Sequence, residues 1–285
     1  MPLPIKQIKN RIRSVENSKK VTSAMQMISV AKLNRMQNRL FSMRPYALEL
    51  ERLMYNLVSL SPDLSLDYFK KTNGRGNIVL CVITSDSGLC GVYNQNVIHA
   101  AEELLRNNDA GRVSLVLVGQ KGLNYFRKSG IKVINSYVGL NAKFSQAVCD
   151  KITTEFIQVF LSGQASSVYL AYTSFENSII QKAAIEQLLS IEPKKLKPIE
   201  YIAEPDLKSI LVSLIPQYLL VKMQLVFLEA FTSEHAARTV AMKTATDNAK
   251  DLLEGLVLLR NKVRQAGITQ DILEITSSVE ALRGG

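Results

Sequence analysis

The chain has 285 residues, of which 47% are hydrophobic and 21% charged, which is ordinary for a folded soluble protein with an apolar core. Two histidines, His99 and His235, and three cysteines without a CxxC pair exclude a zinc-type cluster and fit a reducing compartment. The net charge of +10 is uneven: residues 1–60 hold 11 Lys/Arg against 3 Asp/Glu, and residues 200–285 hold 9 against 11.

The first segment, Ile5 to Val58, reads as one long helix with no glycine and Pro45 as its internal proline. Ile5, Ile8, Ile12 and Val15, and later Leu33, Met36, Leu40, Met43, Ala47, Leu50, Met54 and Leu57, recur at alternating spacings of three and four, the period of a coiled-coil seam. Between the two blocks the register passes through Lys19, Thr22, Gln26 and Ser29, a polar stretch. At about 1.5 Å per residue the helix spans on the order of 80 Å, too long for a compact domain.

The middle, from Asn77 to Glu200, alternates strand and helix signals. IVLCVITSD, VSLVLVG, IKVINSYV and SSVYLAYTSF are strands; Val97–Arg106, Leu123–Lys128, Ala142–Leu161 and Ser178–Ser190 are expected helices. This order predicts a small α/β domain with a largely parallel sheet. KKTNGRG and IEPKKLKPIEYIAEP flank it as connectors.

From Asp206 to Leu282 a second long helix is expected, on the order of 110 Å. Its seam runs Leu211, Leu214, Tyr218, Val221, Leu225 and Leu228, turns small and polar over Thr232, His235, Thr239, Met242, Thr246 and Ala249, and resumes at Leu253 and Leu256. The two terminal helices most simply pair as an antiparallel coiled coil. The expected division is residues 1–60, an N-terminal shaft helix; 61–205, the α/β domain with its connectors; and 206–285, a C-terminal shaft helix. The nearest approach to a membrane span, Ile210–Leu228, contains Pro216, Gln217, Lys222 and Gln224 and reads as a buried seam.

Chemistry-bearing motifs are sparse. Ser85-Asp86-Ser87-Gly88-Leu89-Cys90-Gly91 lies between a strand and a helix, where a phosphate loop would sit. It lacks the lysine and spacing of GxxxxGK[ST] and is not GxGxxG. A glycine-requiring turn is the expectation. Gly119-Gln120-Lys121-Gly122 fails both patterns and reads as a strand-to-helix turn. Cys90 has no histidine partner, Asp86 no second carboxylate, and His235 sits on a helix seam as a packed histidine. No catalytic residue, cofactor or metal is assigned.

The run IKQIKNRIRSVENSKKVTSAMQMISVAKLNRMQNRLFSMRPYA and the run SEHAARTVAMKTATDNAKDLLEGLVLLRNKVRQAGITQDILEITSSVEAL resemble the terminal helices of F-type ATP synthase gamma subunits. YIAEPD and SDSGLCG fit the same family. The resemblance implies a non-catalytic rotor, a shaft inside a ring of alpha and beta subunits that couples ion-driven rotation of the c ring to the catalytic beta subunits. It implies an upper contact at Arg264, Gln265 and Thr269, a nearby basic shaft residue at Arg238, and beta-lever contacts at Lys20, Met25 and Met27. It places a foot at Arg44, Pro45 and Tyr46 against the c ring, and epsilon-subunit and ring contacts near Tyr201, Glu204 and Pro205. The stripe Ile268, Ile272, Ile275, Val279 and Leu282 is expected to bear on an apolar collar.

The family's turn often reads RGLCGGLN; here Ser87 and Val92 depart from it. Between Ser190 and Asp206 there is no room for the cysteine-bearing insertion of chloroplast members. MPLPIKQIKN has neither an apolar signal core nor a transit peptide, so the expected location is the cytoplasmic face of a bacterial membrane, reached through the complex alone. Two other readings stay open on the residues: a basic coiled-coil nucleic-acid binder, marked by steeply salt-dependent affinity, and an α/β enzyme with helical arms, marked by turnover of the isolated chain.

Overall fold

The computed structural model describes residues 5–60, 66–69, 76–191, 204 and 206–283. In order these form α1 (Ile5–Leu60), β1 (Ile78–Ile83), α2 (Tyr93–Asn107), β2 (Val113–Val118), α3 (Gln120–Phe126), β3 (Lys132–Tyr137), α4 (Gln146–Leu161), β4 (Ser167–Phe175), β5 (Gln181–Leu189) and α5 (Leu207–Arg283). Two compact units result: residues 1–28 with 239–285, and residues 29–238. Each terminal helix thus contributes to both units, a division different from the three consecutive segments expected from sequence.

In the first unit the amino-terminal turns of α1 pair with the carboxy-terminal part of α5. Ile8, Ile12 and Leu256 are buried together, flanked by Val15, Leu253, Val257 and Val263. The pairing is antiparallel, since Thr246 Oγ1 donates to Thr22 Oγ1 at 2.8 Å while Leu256 packs near Ile12. The polar middle of the seam is therefore closed by a hydroxyl pair, which fixes register where apolar packing would tolerate a slip.

In the second unit a five-stranded sheet has the order β3-β2-β1-β4-β5. β1 pairs in parallel with β2 and β4, and β2 with β3; β5 is antiparallel to β4. Strand periodicity sends alternate side chains to two faces. Val79, Cys81, Ile83, Val168 and Leu170 join α4, through Cys149, Ile152 and Phe156, and α5, through Leu211, Ile215 and Leu219. Leu80, Val82, Leu115 and Leu117 join Val97 and Ala101 of α2 and Phe126 of α3. With both faces covered, central strands are apolar throughout, as in IVLCVI. Along α1, Leu33, Met36 and Leu40 pack with Leu228, Ala236 and Phe175.

The segment Ser178–Ser190, expected as a helix, is the edge strand β5. Its Ala, Glu, Gln and Leu content favours helix only weakly, by tenths of a kcal/mol per residue, and the hairpin overrides it. Asn177 Oδ1 accepts the backbone N–H groups of Ile179 and Ile180 at 2.8 and 2.7 Å, turning the chain back along β4. Glu186 then receives the Tyr172 hydroxyl at 3.0 Å and Lys222 Nζ of α5 at 2.6 Å. The helix expected from Ala142 begins at Gln146 instead, because Asn141 and Ala142 have φ of 50° and 51°.

Among the described residues one helix, α5, is long and apolar enough to cross a membrane by length and composition. Leu211, Ile215, Leu219, Met223 and Phe227 of that apolar stretch lie under the sheet, so they form the core of this unit.

Candidate partner-binding surfaces and the filled crevice

Open α/β sheets receive ligands beyond the carboxyl ends of their strands, at the point where strand order reverses. Here that point lies beyond β1 and β4. The loop after β1 is tied down by its own polar groups. Thr84 donates N–H to Val118 O at 2.8 Å, and its hydroxyl accepts Gly122 N–H at 2.8 Å. Asp86 accepts the backbone N–H groups of Gln120 and Gly139 at 3.0 Å and of Asn141 at 2.6 Å. The amides that a bound phosphate would need are thereby occupied by a carboxylate. In the turn that follows, Leu89 has φ 63° and Gly91 φ 58°. Cys90 is buried, and burial, the largest influence, raises its thiol pKa against the opposing pull of the Ser85 hydrogen bond and Arg238.

The crevice itself is filled by α5. Tyr93 donates its hydroxyl to Ala230 O at 3.0 Å, and Ser233 Oγ donates to Thr173 O at 3.2 Å. Ser174 Oγ donates to Glu229 Oε2 at 2.9 Å, and Arg44 of α1 donates to Glu229 Oε1 at 2.8 Å and to the carbonyl of Phe175 at the end of β4. One turn further, Arg238 is 7% exposed. Its Nη2 donates to Glu234 Oε1 at 2.6 Å, to Ser87 Oγ at 3.1 Å and to Ser87 O at 3.3 Å, while Nε donates to Gly88 O at 3.4 Å.

The ionisable groups here respond to burial. Desolvation raises the Glu234 pKa against the opposing pull of Arg238. Burial first, then the charges of Arg238 and Lys32, lower His235 to about 4, so it is neutral at physiological pH. It is a packed histidine rather than an acid-base catalyst. Among the described residues no cluster of three His, Cys, Asp or Glu could hold a metal.

The residues assigned to partner contacts from sequence lie apart. In the first unit Lys20 is exposed, Met25 half-buried and Met27 70% exposed. Arg264, Gln265 and Thr269 are exposed on successive turns of α5, with Thr269 Oγ1 bonded back to Gln265 O at 3.0 Å. In the second unit Arg44 is half-buried in its ion pair with Glu229, and Tyr46 is exposed beside an open groove of about 760 Å³ lined by Arg39, Met43, Phe144 and Leu228. Glu204 is exposed; Tyr201 and Pro205 lie outside the described residues. Arg238, like Arg44, has its guanidinium engaged within the chain, and it is the more deeply buried of the two. Sequence reading passed over Glu234, Ser87 and Gly88 as its partners, and Glu229 as that of Arg44. The Glu234–Arg238 spacing of four on a helix was the available signal.

Paired terminal helices with exposed apolar side chains, carrying an α/β domain whose ligand crevice is closed from within, define a chain built as part of a larger assembly. The family model described as ATP synthase matches residues 4–282. The ATP synthase gamma chain of Verminephrobacter eiseniae is 36% identical, covering 98% of each chain, and that of Solibacter usitatus 35% identical, covering 96% of this chain and 97% of the relative. Among solved structures, a chain of the Euglena gracilis mitochondrial ATP synthase superposes with TM-score 0.68 at 15% identity, covering 99% of this chain and 95% of that one. One from the Tetrahymena thermophila mitochondrial ATP synthase central stalk and c ring superposes with TM-score 0.60 at 24% identity, covering 79% and 99%. The chain belongs to the ATP synthase gamma chain family, the central-stalk subunit of the F-type rotary complex.

Proposed function

We propose that this gamma subunit acts as a rotor without an active site of its own, and that catalysis is left to the beta subunits. The observation that carries this reading is the filled crevice: residues Glu229–Arg238 and Asp86 occupy the positions a nucleotide would need. Exposed Lys20 and Met27 face the beta levers, joined by half-buried Met25. Arg264, Gln265 and Thr269 form the upper contact, and the α5 stripe Ile268, Ile272, Ile275 and Val279, each at least 45% exposed, bears on an apolar collar; the side chain of Leu282, assigned to the same stripe, lies outside the described residues. Arg44 and Tyr46 mark the foot on the c ring, and Glu204 lies toward epsilon and the ring. Tyr201, which the same reading assigns there, lies outside the described residues. The complex holds the chain at the cytoplasmic face of a bacterial membrane.

Co-purification of the chain, tagged so as to leave α5 free at its end, tests the reading. Alpha, beta and epsilon subunits should be recovered with ATPase activity present in the complex and absent from the isolated chain. A clean monomer with turnover of its own would overturn it. Within the complex, Arg264→Ala with Gln265→Ala should lower ATP-driven ion pumping at least threefold, and an unchanged pumping rate would remove the upper-contact assignment.

A further inference from the structure

The bonds that seat α5 against the sheet include the hydroxyl–carbonyl contacts of Tyr93 and Ser233, but among the described residues Arg238 is the one α5 side chain with hydrogen bonds to the turn beyond β1. Arg238 spans from Glu234 on its own helix to two successive residues of that turn, Ser87 and Gly88. Apolar packing resists separation of two surfaces far better than sliding between them, because its energy depends on area rather than direction. A guanidinium fork is directional: its planar donors reach carbonyl and hydroxyl oxygens only in one register. Burial strengthens each of these bonds and makes each costly to lose.

We infer that Arg238 is a positioning residue for coupling: it clamps the Ser87–Gly88 turn of the sheet domain to α5, so that load on either is passed to the other without slip. This rests on the rotor reading above. Two of the three contacts to the turn go to backbone carbonyls, Ser87 O and Gly88 O, and the third to the Ser87 hydroxyl. Serine supplies both a carbonyl and a hydroxyl oxygen to the fork and brings no charge. Buried Glu234, with Oε2 lacking a hydrogen-bond partner among the described residues, pairs through Oε1 with Arg238, so removing the guanidinium leaves a buried carboxylate uncompensated.

The test uses the assembled complex in membranes. Each variant is first checked for recovery of alpha, beta and epsilon with ATPase activity; failure of that check in the unmodified chain would overturn the rotor reading itself. Arg238→Met should then lower ATP-driven ion pumping per ATP hydrolysed about fivefold, with Arg238→Lys recovering part of it. Hydrogen exchange at the amides of Gly88–Gly91 should speed up at least tenfold in Arg238→Met. Ser87→Ala combined with Arg238→Met should be no worse than Arg238→Met alone. Additive effects of the two substitutions, or an unchanged exchange rate, would show that Arg238 acts on another subunit and not on its own turn. A loss of thermal stability with pumping per ATP unchanged would reduce the clamp to a folding contact and overturn its role in coupling.

Discussion

Gly119 shows how a single position can decide a turn. It has φ +92°, and a Cβ there would lie 2.2 Å from Thr84 O, so both conformation and space exclude a side chain. Gly119→Ala should destabilise the chain by about 3 kcal/mol or more, whereas Gly130→Ala, with φ +73° but open space around it, should cost only about 1 kcal/mol. Thermal unfolding of the two variants side by side checks this. His235 gives a pH signature. Its folded pKa of about 4 lies below the ordinary value of 6.5, so between those values the unfolded chain binds a proton that the folded chain refuses. Its contribution is complete above pH 6.5 and is lost as pH falls toward 4, a loss of up to roughly 3 kcal/mol. Glu234 works in the opposite sense, because its raised pKa favours proton uptake by the folded state as pH falls. His235→Gln should therefore flatten the acid side of a stability-against-pH curve; an unchanged slope would mean that the histidine is solvated in the native state.

At the scale of elements, what the sequence made legible depends on where each element finds its partners. The two long helices carry their own signal, since Ile8, Ile12, Leu33, Met36 and Leu40 repeat at coiled-coil spacing and are all buried. The central strands were equally plain, because burial on both faces demands unbroken apolar runs. β5 was not legible. QKAAIEQLL carries no strong alternation, and its state is decided by β4, by the Asn177 turn and by Lys222 of α5, none of which lies within a local window. The filled crevice was hidden for the same reason, as Ser87 and Arg238 are 151 residues apart. The seam itself can be probed at Leu256, 6% exposed against Ile8 and Ile12. Leu256→Ala should cost about 2–3 kcal/mol and open the paired end of the first unit, seen as faster proteolysis there, while the sheet-bearing unit keeps its protection. Equal loss of protection in both units would mean that they unfold as one.

At the scale of the whole molecule, the balance of apolar surface argues that the isolated chain and the assembled chain have conflicting needs. Ile268, Ile272, Leu273, Ile275 and Val279 are between 45% and 66% exposed along less than four turns of α5, and Met27 and Ile28 of α1 are 70% and 57% exposed. Soluble monomers rarely leave such contiguous patches uncovered, and the charge of +10 supplies only a general repulsion against self-association. Resemblance made these surfaces nameable from the sequence as contacts, although composition alone gave only a basic helix with an apolar seam. If the stripe is kept for a collar, then Ile272→Glu with Ile275→Lys should raise the solubility of the isolated chain several-fold and lower its recovery in the complex. Light scattering of the purified chain and subunit stoichiometry after co-purification measure the two effects. Improved solubility with undiminished assembly would show that the stripe faces solvent in the complex, and the end of α5 would then have no bearing on the ring.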